Sequence, residues 1–185
     1  MGYHPTALVE SECVGENTRV WAYAHILPHA SVGANCNIGD HCFIESGAII
    51  GDNVTVKNNV CIWEGVSVES DVFVGPNVAF TNDRMPRSPR MVHAISIYQD
   101  KENWLERTIV EQGSSIGANA TVIAGTRLGR FCMIGAGAIV TKDVLPHSLM
   151  VGCPARRVAF VCSCGRTMGD DLNTLYCEQC RFGLA

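Results

Sequence analysis

"VGANCNIGDHCFIESGAIIGDNVTVKNNVCIWEGVSV", residues 32–68, carries an aliphatic side chain at every sixth position: Val32, Ile38, Ile44, Ile50, Val56, Ile62 and Val68. An amphipathic helix repeats its apolar face about every 3.6 residues and a plain strand about every 2, so neither explains a period of six. Four residues after each member stands a second small or branched side chain: Cys36, Cys42, Ala48, Val54, Val60, Val66 and Val72. The series runs back through Ile26, Val20 and Val14 to Leu8, and on through Val74 to Phe80. There it stops. It resumes as Val110, Ile116, Val122, Leu128, Ile134 and Val140.

Six residues suffice for one short strand and a bend, with Gly or Asn accepting the unusual corner angles. Three such sides close a triangular coil of about 18 residues, and coils stack at about 4.8 Å as parallel strands do. The aliphatic residue points inward. The pattern therefore predicts a mainly β protein, a parallel β-helix of about six coils. Parallel crossovers are right-handed in about 98% of cases, so the period alone favours that hand.

The pattern over residues 8–144, closed by "IGANAT", "IGAGAIVTKDV" and "VGCPARRV", resembles the hexapeptide-repeat acyltransferases. That resemblance implies a left-handed parallel β-helix, a homotrimer and active sites between subunits. Within the superfamily, "HPTALVE", "VWAYAHI", "WEGVSVESDVFVGPNVAFTND" and "PRS" are similar to the N-acetyltransferases of nucleotide-linked 3-amino sugars. The implied activity moves an acetyl group from acetyl-CoA to the sugar 3-amino group, for surface polysaccharide synthesis. "FTND" leans towards a deoxythymidine-linked 3-amino-3,6-dideoxyhexose, the cysteine-rich tail towards a uridine-linked 3-amino uronic acid.

Residues 81–107 leave the register and cannot fit inside a coil, so they form a protruding loop, in which "ISIYQDKENWLERT" can make a short helix. Long loops in compact domains are often functional, and this one opens with Asn82, Asp83, Arg84 and Arg87. Residues one coil apart lie above one another, so Ser46, Glu64 and Asn82 should form a polar column where the loop departs, flanked by Trp63 and Asp83. Acyl transfer needs an uncharged amine beside a thioester, donors for the oxyanion and a proton sink. Asn82 is expected to orient the amine, Glu64 or Asp83 to take the proton, and Trp63, Arg84, Arg87 and Ser46 to hold the acceptor. His25, His29 and His41 are expected on turns and away from the column.

For the donor, Gly117, Ala118, Gly135 and Ala136 expose backbone along a groove that suits a pantetheine arm. Lys142 and Arg156, with Arg157, are the cations for the coenzyme A phosphates. Pro154 and Ala155 resemble the family's segment near the adenine.

The tail is a separate unit. Cys162, Cys164, Cys177 and Cys180 form C-x-C and C-x2-C pairs, a pattern for a tetrahedral structural zinc. A short tail of this kind rarely folds without a metal. The expected domains are the β-helix over 1–160 and a zinc-ribbon-like tail over 161–185.

Composition sets outer bounds. The net charge of -4 argues against nucleic acid as a partner, and no apolar run approaches the roughly 20 residues of a membrane helix. The start lacks a signal-peptide pattern, and ten cysteines then point to a reducing, cytoplasmic setting. Three rival readings remain. A same-fold acyltransferase could act on another amine or hydroxyl. A trimeric carbonic anhydrase would need histidines related by whole coils, which His25, His29 and His41 are not. A purely structural β-helix would want a flat outer array of Thr, and the sides here are mixed.

Overall fold

A computed structural model of the chain describes residues 2–169 and 176–183. Short parallel strands, mostly two residues long, repeat along three faces of a prism. On the first face Arg19, Asn37, Thr55, Phe73, Ser115, Met133 and Leu149 pair in sequence, with Gly2 paired to Arg19 at the start. That face holds ten strands, of which the last two run antiparallel, so eight parallel rungs stack there. The expectation of about six coils is thus too low. The six-residue series begins at Leu8 and ends at Val140, whereas Gly2–Tyr3 and Ser148–Val151 add rungs outside it. Their backbones pair with the neighbouring coil without supplying an aliphatic residue on the six-residue beat.

The inward residues behave as the period demands. Ile26, Ile38, Ile44, Ile62, Val74, Ile116 and Val122 are all 0% exposed. Like side chains therefore lie on like side chains down the axis, and each buried aliphatic contributes roughly 1.5–3 kcal/mol. Corners use residues that tolerate left-handed backbone: Asn17, Asn35, Asn53 and Asp71 have φ of 56° to 64°. Their side chains form a ladder one coil apart, from Asn17 Nδ2 to Asn35 Oδ1 and finally Asn53 Nδ2 to Asp71 Oδ1 at 2.9 Å. His29 and His41 occupy similar left-handed corner positions. His25 does not, because it lies in the strand His25–Ile26 with Nε2 2.7 Å from Glu10 Oε2. It carries an outward strand position, and the expectation of a turn there was misplaced.

Between Ala79–Phe80 on the second face and Thr108–Val110 on the third, the corner is replaced by the loop. Ser67 pairs with Ile109 across it, so the coil closes in register despite the insertion. The loop holds a four-residue helix, Ile95–Tyr98, and a 3-10 turn, Lys101–Asn103. After the last coil, Arg156–Val161 turns back antiparallel against Ser148–Val151, and Thr167–Gly169 follows it. No helix is long and apolar enough to cross a membrane among the described residues.

Candidate active site

The corner between the second and third faces gathers the polar groups. Ile44, Ile62, Phe80, Val122 and Val140 occupy successive inward positions of the second face. Two residues beyond each stand Ser46, Glu64, Asn82, Ala124 and Lys142, so one edge carries all five. Asn82 Nδ2 donates to the Glu64 carbonyl at 3.3 Å, which leaves Oδ1 as the acceptor end of the amide. Ser46 donates instead down the edge, to the Pro28 carbonyl at 2.5 Å. The Glu64 backbone N–H donates to Glu45 Oε2 at 2.8 Å, fixing the base of that side chain. The Glu64 carboxylate receives Lys101 Nζ at 2.7 and 2.8 Å on its two oxygens.

The other acceptor-side residues brace the loop. Asp83 Oδ1 accepts from the Met85 N–H and Oδ2 from the Tyr98 hydroxyl, both at 2.8 Å. The same Tyr98 oxygen accepts the Arg87 N–H, and its ring packs on Trp104. Arg84 reaches across the insertion to donate from Nε to the Ala124 carbonyl at 2.8 Å. Glu106 N–H donates to the Asn82 carbonyl at 2.9 Å and closes the loop at its base. Trp63 Nε1 donates to the Phe80 carbonyl at 2.9 Å, with its ring against Phe43. Within this chain Arg87 stays on the exposed side of the loop.

A cavity of about 490 Å³ lies within the loop, lined by Asp83, Arg84, Trp104 and Glu106 among others. A second, of about 340 Å³, lies at the end of the prism and is lined by Lys142, Met150, Ala155, Arg156 and Arg157. Lys142 and Arg156 are therefore neighbours, as the donor reading expects. Arg157 is engaged with the Phe160 ring, its guanidinium carbon 4.2 Å from the centroid. Pro154 is exposed beside this cavity.

Gly117, Ala118, Gly135 and Ala136 sit on a different edge, between the first and second faces. They pack tightly there: a Cβ on Gly117 would lie 2.5 Å from Ala136 N, and Gly137 N–H donates to the Ala118 carbonyl at 2.8 Å. Within one chain the second face separates this edge from the Glu64–Asn82 edge.

Sequence reading missed Lys101, Tyr98 and Ala124. Lys101 and Tyr98 sit inside an aperiodic insertion, where no spacing rule places a side chain. Ala124 was recoverable, since counting two residues beyond Val122 puts it on the same edge.

The cysteines buried inside the prism, Cys36, Cys42 and Cys132, are poor nucleophiles. Burial pushes the Cys42 and Cys132 thiols up to about 11. The tail differs. The sulfurs of Cys162, Cys164, Cys177 and Cys180 all lie within 4.8 Å of one another. Cys164 and Cys177 are 3.8 Å apart, far beyond the roughly 2.05 Å of a disulfide. Bonds of about 2.3 Å at tetrahedral angles separate sulfurs by about 3.8 Å, so the set fits a four-coordinate metal. The Cys164 backbone N–H beside Cys162 helps bring that thiol down to about 7. Residues 170–175 of the connector lie outside the described residues.

Two family models match the chain. "Bacterial transferase hexapeptide (six repeats)" covers 14–46 and 35–70, and "Hexapeptide repeat of succinyl-transferase" covers 107–142. The stretch between them contains the loop. A dTDP-3-amino-3,6-dideoxy-alpha-D-galactopyranose 3-N-acetyltransferase of Aneurinibacillus thermoaerophilus is 50% identical over 175 residues, 95% of this chain and 86% of that protein. Among solved structures, PerB from Caulobacter crescentus, in complex with CoA and GDP-perosamine, aligns at a TM-score of 0.51 and 20% identity over 85% of this chain. The acetyltransferase domain of PglB from Neisseria gonorrhoeae, in complex with acetyl coenzyme A, aligns at 0.52 and 17% identity over 84%. This chain spans 57% and 56% of those two chains, and at such identities the likeness is one of fold.

Proposed function

Because the chain belongs to the hexapeptide-repeat transferases, in the family of the Aneurinibacillus sugar-nucleotide N-acetyltransferase, we propose that it transfers acetyl from acetyl-CoA to the 3-amino group of a nucleotide-linked amino sugar. The acceptor we favour is a deoxythymidine-linked 3-amino-3,6-dideoxyhexose, the class that the relative's name gives. The observation that carries the reading is the single edge on which Glu64 and Asn82 lead, through Ala124, to Lys142 and the Arg156 cavity.

The chemistry follows from that edge. Asn82 Oδ1 accepts an N–H of the acceptor amine and turns the nitrogen lone pair towards the thioester carbonyl. Nitrogen attacks the carbonyl carbon, the carbonyl oxygen takes the charge, and the C–S bond then breaks. Thiolate leaves readily, with a reference thiol pKa of about 8.5, and can itself carry away the proton. Of the two candidate carboxylates, Glu64 is the better placed as an alternative sink, since Asp83 is tied to the Met85 backbone and the Tyr98 hydroxyl, whereas the partner of Glu64 is the exposed Lys101 side chain. Lys142 and Arg156 would pair with phosphates of the donor, and Pro154 would border its adenine. Trp63, Arg84, Arg87 and Ser46 would border the acceptor.

The backbone corner at Gly117, Ala118, Gly135 and Ala136 faces away from Asn82 on the same chain. A second copy must therefore bring that corner to the Asn82 edge, which supports a homotrimer with sites between chains. The four tail thiolates leave no position for water, so their metal is read as a structural zinc. On this reading the β-helix over 1–160 carries the chemistry and the tail over 161–185 is an accessory.

The experiment is direct. Purified protein is mixed with acetyl-CoA and a panel of deoxythymidine-linked and uridine-linked 3-amino sugars, and free thiol is followed with time. Thiol release with the deoxythymidine-linked 3-amino-3,6-dideoxyhexoses alone supports the reading. Release with none of the panel overturns it.

A further inference from the structure

The Lys101–Glu64 pair is peculiar in its chemistry. Lys101 presents a primary ammonium, and the acceptor's reacting group in water is also a primary ammonium. Lys101 Nζ straddles the carboxylate of Glu64, the residue stacked beneath Asn82, at 2.7 and 2.8 Å. Thirty-seven residues of chain separate the two, and one of them sits on the insertion. The backbone of Lys101 is fixed where it is. Its carbonyl accepts the Trp104 and Leu105 N–H groups at 3.2 and 2.8 Å, and Asp100 caps the turn through Glu102 N–H at 3.0 Å. The side chain is the adjustable part, 63% exposed against 29% for Glu64.

We propose that Lys101 is an internal stand-in for the acceptor's ammonium: it occupies Glu64 in the free enzyme, and the sugar amine displaces it on binding. This rests on the proposed acceptor site. An ammonium that bridges both oxygens neutralises the carboxylate's single charge and fills its inner lone pairs, so a second ammonium finds only the weaker outer ones. The incoming amine therefore competes with Lys101, and the free energy of that ion pair is subtracted from acceptor binding. The arrangement keeps Glu64 ordered beneath Asn82 when no sugar is bound. Released, Lys101 stays tethered at the loop base beside the acceptor.

The test is a split of kinetic constants with a chemical readout. Lys101→Met removes the competitor, so the KM for the amino-sugar nucleotide should fall about two- to five-fold, the range an exposed ion pair allows. kcat and the KM for acetyl-CoA should hold. Lys101→Arg, which restores a cation, should return the acceptor KM to the wild-type value. In the wild-type protein, reductive methylation of Lys101, read by peptide mass spectrometry, should quicken when saturating acceptor is added. An acceptor KM that rises about ten-fold in Lys101→Met would make Lys101 a ligand of the nucleotide phosphates and overturn the proposal. So would turnover by the wild-type protein with unchanged KM in Lys101→Met and unchanged labelling; either result leaves the acetyltransferase reading intact. A wild-type protein that neither binds nor acetylates any amino-sugar nucleotide overturns both.

Discussion

Glu64 and Asn82 lie one coil apart on a single edge, joined by the Asn82 amide N–H donating to the Glu64 carbonyl at 3.3 Å. The bond runs to the backbone of Glu64, so the carboxylate remains free to face the loop, where it meets Lys101. Side-chain amide and carboxylate are thereby presented together but serve separable roles, and substitution can take them apart.

Glu64→Gln keeps the shape and removes the charge. If Glu64 docks the acceptor's ammonium, the acceptor KM should rise roughly ten-fold, the larger effect expected of a partly buried charge pair. With thiolate as the main proton sink, kcat should change by less than about three-fold. Steady-state kinetics in acceptor and donor separately check both statements.

How far the sequence alone reaches can be judged at this edge. The inward ladder and the Ser46–Glu64–Asn82 column were legible because each coil repeats the same geometry, and counting by eighteen places a side chain. The prism's ends were not legible: at Gly2–Tyr3 and Ser148–Val151 the side chains packed on the core are Tyr3 and Met150, which fall off the six-residue beat. The loop was legible as an insertion but not in its contacts. Tyr98 on Asp83 and Lys101 on Glu64 depend on how the insertion folds back, and no period governs that. Gly117 and Gly135, eighteen residues apart, stack by the same count on a different edge.

Gly117 tests packing at that other edge. A methyl group there would lie 2.5 Å from Ala136 N, which is backbone and cannot swing aside. Gly117→Ala should destabilise the protein by about 1–3 kcal/mol, the usual cost of overpacking. A lowered midpoint in urea unfolding with unchanged slope is the expected outcome. An unchanged midpoint would mean that the corner has slack.

The proposed assembly rests on the split between the two edges. Three chains of 20.0 kDa give 3 × 20.0, roughly 60 kDa, and light scattering at micromolar concentration should find that mass. A particle of one chain's mass that still turns over substrate would show that no second copy completes the site.

In the tail, elemental analysis of protein purified without chelator should find one zinc per chain. Cys177→Ser should abolish that stoichiometry, because one of four converging sulfurs is lost. Zinc retained at full stoichiometry in this variant would place the metal elsewhere.

The central claim is that the Glu64–Asn82 edge receives the acceptor amine, and Asn82→Ala tests it most directly. The measurement is kcat/KM for the amino-sugar nucleotide at saturating acetyl-CoA, with coenzyme A affinity measured on the same preparation. The account predicts a loss of roughly 100-fold, about 2.7 kcal/mol of transition-state stabilisation, with coenzyme A affinity unchanged. Wild-type kcat/KM in Asn82→Ala would contradict it, and the edge would then be a solvated corner with the acetyl transfer carried out elsewhere.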